Sequence, residues 1–138
     1  MNKRISWEEY ALRIAQAAAL RSEDRYVQVG ATALDYSNRV IGVAYNGLGS
    51  GITAPESFWE DRDKRRPYMI HAEINLLSLI KRDECKLLAC TLLPCSCCAA
   101  AIVANGIKKV VYKDEYFRDN QSLEIFKFNG IECQQITF

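Results

Sequence analysis

Two short segments constrain this chain more than any other feature. His71-Ala72-Glu73 is followed, 21 residues after Glu73, by Pro94-Cys95-Ser96-Cys97-Cys98. Together they supply one imidazole, one carboxylate and two thiolates spaced Cys-x-x-Cys. Those are the parts of a hydrolytic zinc site, in which three protein ligands leave one coordination position open for water. His71, Cys95 and Cys98 are the candidate ligands, and the fold must bring their two segments together.

Hydrophobic periodicity and turn residues indicate how. Ser6-Trp7-Glu8-Glu9 reads as a capping box, with Ser6 as N-cap and Glu9 reaching back, at the head of a helix running to about residue 20. Trp7, Tyr10, Leu12, Ile14, Ala17, Ala18 and Leu20 form its expected buried face. Residues 27–34 and 40–44 read as strands of a hairpin around the polar turn Ser37-Asn38. Residues 46–70 hold Gly47, Gly49, Gly51, Pro55, Pro67 and a charge cluster from Glu60 to Arg66, and read as a long loop with a short helical turn. Loops of that length in a compact domain tend to be functional. Helices are expected over 71–80, 95–104 and 120–128, the last two ended by Asn105-Gly106 and Asn129-Gly130. Strands are expected over 87–92, 108–112 and 131–137. The order predicts an α/β fold with a five-stranded mixed sheet flanked by helices, in a single domain spanning residues 1–138. Both motif segments then open helices, where the dipole and free N–H groups favour thiolate over thiol.

Each candidate also has an ordinary reading. A lone histidine is more often a surface or satisfied core residue, but His71 begins His-x-Glu ahead of a Cys-x-x-Cys. Cys95 and Cys98 could be small apolar residues, yet they follow Pro94 at an expected helix start. Cys97 should point away from the ligands and pack; Cys85, Cys90 and Cys133 lack partners at ligand spacing and read as structural. Glu73 alone would complement a helix dipole. Two residues past a ligating histidine, its carboxylate can act as general base and then general acid.

Eighteen basic residues against 17 acidic ones leave a net charge of +1. A nucleic-acid binder is more often strongly basic, so the balance favours a small-molecule substrate and no nucleic acid. Basic residues at the amino terminus are not followed by an apolar run, which argues against a signal peptide. No stretch approaches the roughly 18 apolar residues of a membrane span. A cytoplasmic protein with no membrane partner is expected, and there clustered cysteines bind metal rather than form disulfides.

The His-x-Glu and Pro-Cys-x-x-Cys pattern is the signature of zinc nucleobase deaminases. Trp7-Glu8-Glu9-Tyr10, Arg21-Ser22-Glu23-Asp24, Gln28-Val29-Gly30-Ala31, Tyr45-Asn46-Gly47, His71-Ala72-Glu73-Ile74-Asn75 and Gly106-Ile107-Lys108-Lys109-Val110-Val111-Tyr112 extend the likeness. Over nearly its whole length the chain resembles the deoxycytidylate (dCMP) deaminase family. The resemblance implies a three-layer α/β/α cytidine deaminase-like fold, one Zn2+ per chain, and conversion of dCMP to dUMP with release of ammonia. Asn46 matches the asparagine that contacts the nucleotide, although Asn-Gly is also a turn signal. Tyr116 would stack near the base or sugar. The N–H groups of Ala72 and Cys95 and the carbonyl near Leu93 would meet the pyrimidine edge. Arg21, Ser22 and Asp24 resemble the phosphate-side loop, and among Arg62, Lys64, Arg65 and Arg66 an arginine fork suits phosphate, with Arg62 and Arg66 the candidates. A homo-oligomer, a hexamer, is likewise implied.

Three departures stand against the family pattern. Val27 replaces a frequent asparagine before Gln-Val-Gly, and Ala44 replaces the glycine before Tyr-Asn-Gly that regulated members carry, so control by dCTP and dTTP is in doubt. No cysteine precedes Cys85 to hold a second zinc. The motif leaves other readings open: a deaminase of another cytosine or purine base, a nucleoside, dCTP or tRNA adenosine, or a non-catalytic zinc-stabilised nucleotide-binding module, against which Glu73 argues. Metal analysis should find one zinc per chain; two would overturn the ligand assignment.

Overall fold

The computed structural model describes residues 3–138, so Met1 and Asn2 of the basic amino-terminal stretch lie outside the described residues. Helix α1 spans Trp7–Ala19, and Ser6 caps it by accepting the Glu9 N–H at 3.0 Å. Glu9 does not reach back as the capping box predicts. Its carboxylate pairs instead with Arg13 Nε one turn on, at 2.7 Å, because a charge-assisted bond outcompetes a neutral N–H donor.

The buried face of α1 also differs from the expected one. Ala11, Leu12, Ala15 and Ala19 are buried, whereas Trp7 is 49% and Leu20 77% exposed, with Tyr10 exposed too. A Cβ on Gly30 would lie 1.8 Å from the Ala15 carbonyl oxygen, so the helix backbone rests directly on the first strand. At that separation alanines fit beside Leu12, and Trp7, Tyr10 and Leu20 are turned outward.

Strands β1 (Gly30–Asp35) and β2 (Val40–Tyr45) form the expected antiparallel hairpin, with Asn38 at φ 60° in the turn. β1 starts at Gly30 rather than Val27 because the Asn46 side chain substitutes for a ladder there. Its Oδ1 accepts the Val29 N–H at 2.9 Å and its Nδ2 donates to the Val27 carbonyl at 3.0 Å. The 46–70 segment is more ordered than expected. Pairing of Gly47 with Ile70 closes its ends, and it holds 3-10 turns at Glu56–Glu60 and Arg66–Tyr68 around helix α2 (Arg62–Arg65).

Helix α3 covers Ala72–Leu77 and stops short of residue 80, where the Ser78 hydroxyl donates to the Asn75 carbonyl at 2.6 Å and the last turn tightens. Then follow β3 (Cys85–Leu92), α4 (Ser96–Asn105), β4 (Lys109–Asp114), α5 (Ser122–Phe128) and β5 (Glu132–Gln135). Gly106, at φ 91°, closes α4 as its position predicts. The five-stranded sheet has the order β2-β1-β3-β4-β5. β1 is antiparallel to β2 and β3, while β3, β4 and β5 run parallel. This is the mixed α/β sheet the element order implies.

Side-chain alternation divides the core. Leu88, Cys90 and Val110 meet Leu76 of α3, Ile102 of α4 and Phe126 of α5 on one face. Leu34, Leu87, Ala89 and Val111 meet Ala11 and Leu12 of α1 on the other. Burying each large apolar side chain contributes about 1.5–3 kcal/mol. Among the described residues no helix is long and apolar enough to cross a membrane.

The close approach of α1 makes a prediction opposite to the expected face. Gly30→Ala should lower stability by about 2 kcal/mol or more through overpacking, read as a fall in the urea midpoint. Leu20→Ser should stay within about 0.5 kcal/mol.

Candidate metal centre and active site

Two helix starts build the site. His71 is the N-cap of α3 and Cys95 the N-cap of α4; both have extended backbone, and neither side chain caps its own helix. Their side chains are thereby free to face each other. β3 delivers Cys95 through Leu93 and Pro94, while the Gly47–Ile70 pairing delivers His71. Cys98 sits on the first turn of α4, on the side of Cys95.

His71 Nδ1 lies 3.5 Å from Cys95 Sγ and 3.3 Å from Cys98 Sγ. All three potential ligand atoms fall within 4.8 Å of one another. Zinc bonds of about 2.3 Å to sulfur and 2.0–2.1 Å to nitrogen place tetrahedral N and S ligands about 3.5 Å apart. The donor set therefore fits one zinc ion, with a fourth position left for a non-protein ligand.

Electrostatics agree with that chemistry. The hydrogen bond from Cys98 draws the Cys95 thiol down to about 4, with His71 adding to the effect and burial opposing it. The same bond, together with burial, pushes Cys98 up, so the pair loses its first proton at Cys95. The bond to Cys95 raises His71 against burial. Metal binding must displace the remaining Cys98 proton.

Glu73, on the first turn of α3, is only 4% exposed, and burial raises its pKa against the pull of its own backbone N–H and His71. It lines a cavity of ≈ 80 Å³ with His71, Ala72, Cys95, Val27, Val29, Asn46, Leu92, Leu93 and Tyr116.

The remaining candidates separate. Asn46 and Tyr116 line the cavity. Asn46 is almost fully committed to the protein: besides its bonds to Val27 and Val29, Nδ2 donates to Asp24 Oδ2 at 3.3 Å. One lone pair of Oδ1 remains. Ser22 and Asp24 are buried, with the Ser22 hydroxyl donating to the Asn46 carbonyl at 2.8 Å. Arg65 is also buried and paired with Asp24 at 3.1 Å. Arg62 and Arg66 are exposed and do not line the cavity; Arg62 stands 5.5 Å from the Tyr26 ring centre and Arg66 3.9 Å from Asp63. Cys97 is exposed, pointing away from the ligands but not packed as expected.

Some contributors were not among the sequence-based site candidates. Asp119 accepts both the N–H (2.9 Å) and the hydroxyl (2.7 Å) of Ser96, capping α4 from 23 residues away and holding the Tyr116 segment beside Cys95. Val27, Val29 and Leu92 line the cavity as plain apolar residues.

Comparison with known proteins is consistent. The model of the cytidine and deoxycytidylate deaminase zinc-binding region matches residues 5–114. Deoxycytidylate deaminase of Mus musculus is 30% identical, over 96% of this chain and 81% of its own length. The Homo sapiens enzyme of that name is 31% identical, over 84% and 69%. In fold, the chain matches the dCMP deaminase of cyanophage S-TIM5 in complex with dCMP and dUMP, with a TM-score of 0.81 at 24% identity, over 98% of this chain and 100% of that one.

Cys95→Ser or Cys98→Ser should abolish stoichiometric zinc by metal analysis, while Cys97→Ser retains it. Zinc added to the metal-free protein at pH 7 should release about one to two protons per ion, from Cys98 and any protonated His71.

Proposed function

Because the chain belongs to the family defined by the cytidine and deoxycytidylate deaminase zinc-binding region, we propose that it hydrolyses dCMP to dUMP with release of ammonia. The observation that carries this reading is a cavity lined at once by His71, Cys95 and the buried Glu73. His71, Cys95 and Cys98 hold one zinc ion per chain, which supplies Lewis acidity and a water of lowered pKa. Glu73 takes one proton from the attacking water and passes it to ring nitrogen N3; it then takes the remaining proton of the hydroxyl added at C4 and gives it to the amino group, which leaves as ammonia as the C4–N bond breaks and C4=O forms. Burial raises the Glu73 pKa, which favours its uptake of a proton from water.

The Ala72 N–H stands at the first position of α3, where no intrahelical acceptor exists. With the Cys95 N–H and the Leu93 carbonyl it orients the pyrimidine edge. Asn46 meets the substrate through the remaining Oδ1 lone pair, and Tyr116 stacks on base or sugar. Arg62 and Arg66, exposed on the segment before α3, take the phosphate. Their exposure supports a split in which the base enters the cavity and the phosphate stays outside.

The active form is a single domain over residues 1–138, cytoplasmic, binding no nucleic acid and assembled as a homo-oligomer, a hexamer. Val43, Ile52 and Leu79, exposed along one open groove beside β2, support self-association.

Ammonia release from a panel of cytosine compounds tests the substrate. dCMP should exceed deoxycytidine about 10- to 100-fold in kcat/KM, the range expected for charged hydrogen bonds; equal efficiency would sink the phosphate assignment. Glu73→Gln should bind zinc normally and lose about 100-fold or more in kcat.

A further inference from the structure

The wall of the cavity is tied to the segment that precedes His71 through three consecutive residues. Asp24 pairs with Arg65, Arg25 with Glu56, and the Tyr26 hydroxyl donates to the Trp59 carbonyl. Only the first of these is a buried ion pair, with side chains 1% and 6% exposed. Asp24 spends its other acceptor capacity on the wall itself. Oδ1 accepts the N–H groups of Tyr26 (2.8 Å) and Val27 (3.3 Å), and Oδ2 accepts Asn46 Nδ2 (3.3 Å). Asn46 in turn holds Val27 and Val29. Val27, Val29 and Asn46 all line the cavity. On the opposite side, the Arg65 guanidinium carbon lies 4.6 Å from the centre of the Tyr26 ring.

We propose that Arg65 is a positioning residue for the substrate: clamped between the Asp24 carboxylate and the Tyr26 ring, it sets the place of Val27, Val29 and Asn46 and so governs how tightly the base is held. This rests on the deaminase reading and adds a determinant of binding to it. Neither Arg65 nor Asp24 belongs to the two hydrophobic clusters that hold the sheet and helices together. A buried ion pair is a poor source of stability, since desolvation offsets much of the attraction, but its geometry is exacting. A lysine could keep the charge opposite Asp24 but could not also lay a planar group on Tyr26. Val27, Val29 and Asn46 take no part in the proton transfers, so the wall binds ground state and transition state alike and its loss appears in KM.

The test is steady-state kinetics of Arg65→Met, Arg65→Lys and Asp24→Asn on the cytosine compound that the unmodified chain deaminates best, with zinc content and Tm measured alongside. Arg65→Met should raise KM about tenfold or more, with kcat per zinc-loaded site within about twofold, and Arg65→Lys should fall between it and the parent. Asp24→Asn should shift KM the same way, and the Asp24→Asn/Arg65→Met double variant should be no worse than the worse single one. A merely structural pair would lower Tm or the active fraction and leave KM alone; an unchanged KM in the arginine variants overturns the proposal. If Arg65→Met does not fold, Arg65→Lys decides, with a rise of about threefold or more expected and the parental KM overturning it. An unmodified chain inert on every cytosine compound would instead overturn the deaminase reading, and this inference with it.

Discussion

The meeting of two helix N-termini is the constraint on which this molecule turns. His71 and Cys95 each stand just outside a helix, with extended backbone and a side chain that leaves its own helix uncapped. An N-cap residue that does not cap is unusual, since N-caps normally satisfy an orphan N–H. Here the uncapped state frees an imidazole and a thiol to face each other across 3.5 Å. Asp119 compensates at α4 by supplying the missing acceptor to Ser96. The sheet serves the same end: β3 ends where α4 must begin, and the antiparallel β1 and β2 bring Val29 and Asn46 to that same edge.

Chemistry and recognition are carried by different parts of the chain. His71 and Cys95 stand at the N-caps of two helices, and Glu73 and Cys98 on their first turns. The cavity wall is irregular backbone at residues 27–29, held by the Asn46 amide rather than by a strand ladder. A wall built that way can change its lining without disturbing the sheet. Deaminases sharing one reaction centre could diverge in substrate by such changes, since sites grafted on a common fold carry the function.

Much of this was legible in the residues. The two motif halves announced the donor set, and turn residues such as Gly106 placed the helix end that the structure has. The face of α1 was not legible. Periodicity ranks side chains by hydrophobicity, but the separation of helix and sheet is set by Gly30 beneath Ala15, a contact between residues far apart in the chain. Arg65 was equally hidden. In the sequence it is one of four basic residues in a charged run, and only the fold distinguishes the buried one from its exposed neighbours Arg62, Lys64 and Arg66.

That sorting bears on how a phosphate could be recognised. Arg65 is the buried cation of the run, and its Nη1 pairs with Asp24 at 3.1 Å while its Nε has no protein partner. A second anion on that guanidinium would be a further buried charge beside the Asp24 carboxylate. The cations left for a phosphate are those in solvent, whose attraction is weakened by screening but whose placement costs no buried charge. Under the proposed reading, a phosphate held by Arg62 or Arg66 would therefore stay at the surface, apart from the buried Arg65.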